Sequence, residues 1–231
     1  MKLHHQIVTA SSLGQERRSD MLRLMQRCYD GVTAEKFEAD LSEKTHVILL
    51  LNEANHLCGF STQQIYLHHT KEGPIRVLFS GDTIIAQEHW GTQELARGWC
   101  AIAAQALQLQ PTLPLHWLLI SKGYRTYLYL PLFFRHYLPK PGHESSVLWQ
   151  GVATEKFGAA FDFSRGIVRS SGPLTAALAE VPEWRQDDPH VHYFLERNPG
   201  YAEGDELVCL AEVSLANTHG IGHRWLKKAL A

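Results

Sequence analysis

The chain has 231 residues, 45% of them hydrophobic, and a formal net charge of −2, enough length and apolar mass for a substantial core without disulfide or metal staples. Basic residues are scattered, with Arg17-Arg18 and Lys227-Lys228 as the doublets of note, which argues against a nucleic-acid groove. No window reaches the roughly 18 apolar residues that span a bilayer, and Met1-Lys2-Leu3-His4-His5 is no apolar leader, so a soluble, cytoplasmic protein with no membrane span is expected.

In chain order, His5 to Ala10 reads as a strand, followed by a helix with Met21, Leu24, Met25, Cys28 and Val32 on its apolar stripe and Ser19 as its cap. Gly31 ends that helix, Thr33 caps the next, and Ala34, Phe37 and Leu41 carry it to about Lys44. Val47 to Leu51, Leu57 to His68 and Ile75 to Ile85 are strand-like runs parted by Asn52-Glu53-Ala54-Asn55 and Lys71-Glu72-Gly73-Pro74, an antiparallel meander. From Thr92 the period becomes 3.6, with Leu95, Trp99, Ile102 and Ala106 striping a helix that ends near Leu109, ahead of Pro111 and Pro114. Leu115 to Ile120 reads as a strand covered on both faces, and Tyr124 to Tyr137 as aromatic helical sequence kinked or restarted at Pro131. Val152 to Phe163, Pro173 to Glu180 and Pro189 to Arg197 read as helices, Leu207 to Val213 as the one clear late strand, and Arg224 to Leu230 as a closing helix. With no repeat or linker, a single domain over 1–231 is expected.

Cys28, Cys58, Cys100 and Cys209 lie far apart in apolar stretches with no CxxC pair, and His4-His5 and His68-His69 lack the i, i+4 spacing of helical metal ligands. A metal site is not expected, and the cysteines read as reduced core residues.

The corner Gln87-Glu88-His89-Trp90-Gly91-Thr92-Gln93-Glu94, where a strand breaks into a helix start, is a natural seat for phosphate. It has one glycine, and the Cβ atoms at its other positions limit close backbone approach, while Glu94 would repel a phosphate it faced. With this corner, the order strand, two helices, meander, helix, strand, helix and late strand resembles the GCN5-related N-acetyltransferase (GNAT) superfamily over about residues 5 to 138 and 207 to 213. The resemblance implies an α/β (α+β) fold with a mixed, mostly antiparallel sheet, flanking helices and a C-terminal extension. Residues 140–206 would then form an acceptor-side wall or lid.

The resemblance also implies chemistry. A neutral amine attacks a thioester directly, helped by a base on the fourth strand and a tyrosine that protonates the departing thiolate. The pantetheine arm lies between the splayed strands Ile75 to Ile85 and Leu115 to Ile120. The donor is acyl-CoA or an acyl-phosphopantetheine on an acyl carrier protein, and the acceptor an amine-bearing small molecule or peptide. Donor contacts then fall at Ile84, Ile85, Trp90, Gly91, Thr92, Gln93, Ser121 and Tyr124.

For the base, Asp82 in Ser80-Gly81-Asp82-Thr83 is the first choice, because Gly81 can mark a bulge that turns it toward the cleft; its alternative role is a turn cap. His116 is the alternate base. Tyr127 is the acid, chosen over Tyr124 and Tyr129 for its spacing from the strand. The corner keeps one glycine of the family's Arg/Gln-x-x-Gly-x-Gly/Ala loop and no loop arginine, which favours the single phosphodiester of a carrier arm over CoA. Tyr127-Leu-Tyr-Leu-Pro-Leu-Phe-Phe with Trp117 and Trp149 supplies apolar surface for a long acyl chain, each buried methylene being worth about 0.8 kcal/mol. These traits look like the GNAT-like enzymes that attach fatty acyl groups to lysine- or ornithine-like amines of peptides. Two competing readings are a non-catalytic module that binds an acyl carrier or peptide, and a hydrolase or nucleophilic transferase using Cys100 or Cys58 with a histidine.

Overall fold

The computed structural model describes residues 2–169, 172–175 and 179–231. The meander forms as its alternating apolar runs require: β1 (Leu3–Thr9), β2 (His46–Asn52), β3 (Leu57–Thr70) and β4 (Gly73–Ile85) pair antiparallel in sequence order. Helix α1 (Gln15–Cys28) and helix α2 (Ala34–Ser42) connect β1 to β2. Thr33 caps α2 by accepting from the Lys36 amide at 3.3 Å. Ser19 is not a cap: α1 starts a turn earlier, after Gly14, and the Ser19 hydroxyl donates back to the Gln15 carbonyl at 2.9 Å.

Helix α3 (Glu94–Leu109) leads through the predicted proline turn into β5 (Leu115–Ser121), the parallel partner of β4. Arg76 of β4 fixes this crossover. Its side chain is 4% exposed, and it donates to the carbonyls of Ala106, Gln110 (2.7 Å) and Leu113 (2.9 Å), so a buried guanidinium caps the C-terminus of α3.

The aromatic segment forms two short helices, α4 (Tyr124–Tyr127) and α5 (Tyr129–Phe133). The break falls at Leu128. Pro131 is the third residue of α5, where the missing N–H has no intrahelical partner to lose, so it neither kinks nor starts the helix.

In the extension, Ser146 caps α6 (Val147–Phe157), which starts five residues before the expected helix at Val152 and gives way to a strand at Phe161. Short strands β6 (Phe161–Asp162) and β7 (Ile167–Arg169) follow, then α7 (Glu183–Gln186) and α8 (Pro189–Arg197), the last with Asp188 as its cap. The expected helix over Pro173–Glu180 has its centre, 176–178, outside the described residues. Strand β8 (Asp205–Glu212) and α9 (Gly220–Leu230) close the chain. β6 and β7, two and three residues long, were too short to show a period, so β8 is not the one late strand.

The result is an eight-stranded sheet of order β1-β2-β3-β4-β5-β8-β7-β6, antiparallel except at β4–β5. One face buries Ile48, Leu50, Leu78, Trp117 and Leu119 against α3, α4 and α5. The other face carries two separate cores. Val47, Leu49, Phe60 and Ile84 pack on α1 and α2, while Val77, Phe79 and Leu118 pack on Trp149 and Val152 of α6. A groove between those cores is left open on this face. Among the described residues, no helix is long and apolar enough to cross a membrane, and no cluster of His, Cys, Asp and Glu is arranged to hold a metal.

Candidate acyl-transfer cleft

β4 and β5 pair from Arg76↔Leu115 to Ser80↔Leu119 and then part. Beyond that point β4 bonds only to β3, through Thr83↔Ser61, Ile84↔Phe60 and Ile85↔Gly59, and β5 only to β8, through Ile120↔Val208 and Ser121↔Leu207. Their facing edges thus leave backbone donors and acceptors turned toward a gap.

The cause is a β-bulge. Ser61 faces Thr83 and Gln63 faces Ser80, so Thr62 alone opposes both Gly81 and Asp82. The extra residue reverses the alternation: Phe79 and Ile84, an odd number of positions apart, lie on the same face. Asp82, two residues before Ile84, is therefore aimed into the groove rather than at α3. Gly81 is required there, because a Cβ would stand 2.7 Å from Thr62 Oγ1 and 3.0 Å from Lys44 Cε. Under the bulge, on the α3 face, Trp117 Nε1 donates to Ser80 Oγ (2.8 Å), Ser80 Oγ to Gln63 Oε1 (2.7 Å) and Gln63 Nε2 to Ser61 Oγ (2.7 Å). This satisfied buried chain holds the gap open. The fold is GNAT-like.

No protein-family model and no curated protein matches the chain. Solved structures with a similar arrangement include a conserved Enterococcus faecalis V583 protein described as a probable N-acyltransferase: 15% identity, 58% of this chain and 33% of that one, TM-score 0.44. This chain thus spans about a third of that protein's length. A GNAT family N-acetyltransferase (YhbS) from Escherichia coli, in complex with CoA, is similar at 15% identity over 63% of this chain and 80% of its own, TM-score 0.40. A Trypanosoma brucei acetyltransferase is similar at 15% identity over 60% and 96%, TM-score 0.41. Likeness this distant carries no chemistry, which has to come from the residues of this chain.

A cleft of about 990 Å³ runs from the start of α3, through the gap, into the groove between α1–α2 and α6. Of the predicted donor contacts, Ile84, Ile85, Trp90, Gly91, Thr92, Gln93 and Tyr124 line it. Ser121 does not: it is fully buried and donates to the Gly123 carbonyl at 2.8 Å, shaping the turn. Gly91 has φ +88°, a conformation glycine adopts without strain, with open space where a side chain would project.

Two features of the seat differ from the sequence-based expectation. Glu94 turns toward β1, bonding His5 Nδ1 at 3.0 Å and Arg97 at 3.1 Å, so its charge is engaged away from the seat. A cation is also present. The Arg125 guanidinium stacks 4.2 Å over the Trp90 ring and 4.7 Å from the Tyr124 ring. It comes from α4, so the loop sequence gives no hint of it.

In the groove, burial raises the Asp82 carboxyl above the ordinary carboxylate range; Lys44 opposes the rise, Asp40 adds to it and Lys122 opposes it. Lys122 bonds the Gly172 carbonyl at 2.8 Å, approaches Glu206 at 3.6 Å and sits 4.9 Å from the Tyr29 ring. Lys156 of α6 bonds Glu43 at 3.1 Å and Gln64 at 2.7 Å. Lys44, Tyr29 and Lys122 arrive from three separate connections, which is why no local motif announces them.

Tyr127 and His116 lie elsewhere. Tyr127 is 0% exposed, donates to the Pro139 carbonyl at 3.0 Å and packs against Tyr137, Tyr193 and Phe194. Thr126, Tyr129 and Phe133, at helical spacing, form the face that looks into the gap. His116 stands four residues before Ile120 on β5, roughly 13 Å away along a strand. Burial lowers its imidazole pKa; Glu212 opposes this and His68 reinforces it. The four cysteines are buried and unbridged. Burial pushes the Cys100 thiol up to about 12 and raises Cys58 as well, which leaves neither as a thiolate nucleophile.

Proposed function

We propose that this protein is an N-acyltransferase that moves an acyl group from a pantetheine thioester to a primary amine. The observation that carries this reading is the bulge at Gly81–Asp82, which parts β4 from β5 and aims a carboxylate of raised pKa into the groove beyond the gap. The donor's phosphates sit at Gly91 and the start of α3 beside Arg125, and its arm threads the gap, using backbone groups of the parted strands. Asp82 takes the proton from the amine, whose lone pair attacks the thioester carbonyl; the C–S bond breaks and the thiolate is protonated. Tyr129 takes the acid role first assigned to Tyr127. It lines the gap, and burial raises its pKa, keeping the hydroxyl protonated.

Arg125 makes the diphosphate of acyl-CoA workable, while a carrier protein's single phosphodiester fits the same seat. A fatty chain would lie in the groove between Met25, Phe37, Phe79 and Phe157, or against Leu128, Tyr129, Leu132 and Phe133, the half of the aromatic segment that lines the cleft; Trp117 and Trp149 are consumed in the core. Asp40 suits a cationic acceptor such as a lysine- or ornithine-like side chain of a peptide, and residues 140–206 provide its wall through Lys156, Phe157 and Trp184.

The test is thiol release from acyl-CoA and acyl-carrier thioesters of graded chain length with amine acceptors. Amine-dependent release is expected; saturable thioester binding with no release would assign a binding module instead. Tyr129→Phe should lower kcat by about 10²-fold. Tyr127→Phe should keep turnover and lose about 1 kcal/mol of stability with its buried hydrogen bond. Equal turnover in both variants would remove Tyr129 from the site.

A further inference from the structure

Lys44 is the groove cation with the least to hold it. Lys122 and Lys156 each have a carboxylate and a second polar partner, and Arg185 bonds Asp188 at 3.1 Å. Among the described residues the Lys44 ammonium forms no ion pair or hydrogen bond; it rests 5.5 Å from the centre of the Phe79 ring.

Its place matters more than its pairing. Lys44 Nζ is 3.6 Å from the point a Cβ on Gly81 would occupy, against the residue where β4 leaves β5. A thioester brought through the gap would meet this amine before any acceptor further out in the groove. Asp82 lies on the same face, one residue beyond Gly81.

We propose that Lys44 is an acylation site of the protein itself: its amine accepts the acyl group from a bound thioester, and the product closes the acceptor groove. The proposal rests on the acyl-transfer reading. The Lys44 Nζ lone pair attacks the thioester carbonyl carbon, with its proton passing to Asp82 through groove solvent. The C–N bond forms as the C–S bond breaks, and the thiolate leaves protonated by Tyr129 or water. The products are acyl-lysine and free thiol, with no other co-reactant.

The charged groups around Lys44 govern how readily the neutral amine forms. Burial lowers its pKa; Asp82 opposes this, Lys156 reinforces it, and Asp40 and Glu43 oppose it. The adduct should therefore form faster as pH rises, with its midpoint below that of an ordinary lysine.

The experiment incubates the full chain with acetyl-CoA and, separately, a long-chain acyl-CoA, and follows intact mass, peptide mapping and amine-dependent thiol release together. One acyl group per chain, mapped to Lys44 and lost in Lys44→Arg and Lys44→Gln, with amine transfer falling in step with the modified fraction, is expected. Mapping on the wild-type chain decides the point even if neither variant folds. Acylation of exogenous amine with Lys44 unmodified, or an adduct mapped elsewhere, overturns the proposal and leaves the acyl-transfer reading intact. Failure of both the adduct and amine transfer overturns the two together.

Discussion

Asp82→Asn should lower kcat for amine acylation by about 10²- to 10³-fold while the protein melts at the same or a higher temperature at neutral pH. The two effects share one cause. A carboxyl whose pKa is raised by burial holds its proton more tightly folded than unfolded. Its contribution to stability is therefore fully present below the unfolded pKa and is lost as pH rises through the folded pKa. At neutral pH the ionised form is a net burden that Lys44 and Lys122 only partly relieve, and Asn removes it. The ascending limb of the wild-type kcat/KM–pH profile should sit above the usual carboxylate range and vanish in the variant. Steady-state kinetics and calorimetry on the same samples check both halves. A variant that kept its turnover would take the base role from Asp82, and one that lost stability and activity together would mark it as structural.

Arg76→Met is expected to be the most damaging substitution outside the cleft. Its guanidinium ties β4 to the carbonyls of Ala106, Gln110 and Leu113; the Gln110 carbonyl keeps the Leu113 amide as a second partner, but the buried Ala106 carbonyl loses its side-chain donor, and a buried acceptor left unpaired costs about 1 to 3 kcal/mol. With the crossover loosened as well, the loss should total about 2 to 4 kcal/mol, or roughly 10 °C in Tm for a chain of this size. The same bonds anchor the parallel strand pair below the gap, so CoA affinity should fall as the crossover loosens. A melting temperature within a degree or two of wild type would show that water caps α3 without the arginine.

The meander and α3 were legible because Leu49, Phe60, Leu78, Trp99 and Ile102 repeat with clean periods of two or 3.6, and periodicity reports burial directly. Gly81 announced the bulge for the same kind of reason: only a residue without a side chain fits opposite Thr62. Tyr127 was misplaced because spacing from a strand fixes a residue's distance along the chain and not its direction. The break at Leu128 turns Tyr129 to the gap and leaves Tyr127 in the core. Lys44 and Arg125 were invisible for a third reason. Each reaches the cleft through tertiary packing, from an α2–β2 connection and a four-residue helix, and nothing in their neighbours marks them. The extension was hardest to read, since its shortest strands have too few residues to alternate and exist only because β8 was there to be paired.

That pairing has a consequence for the life of the protein in solution. Without residues 134 to 169, β8 would be an outer strand with the apolar sequence Leu207-Val208-Cys209-Leu210-Ala211, a ready template for edge-to-edge association with a second chain. Instead β7 takes Asp205 to Leu207, the Trp149 indole N–H and the Gly166 carbonyl occupy Val208, and Leu138 exchanges both backbone bonds with Leu210 at 2.8 and 2.9 Å. The segment that walls the acceptor groove thus also covers the edge of an apolar strand, and trimming it to widen the groove would expose Leu207 to Ala211 to a second chain.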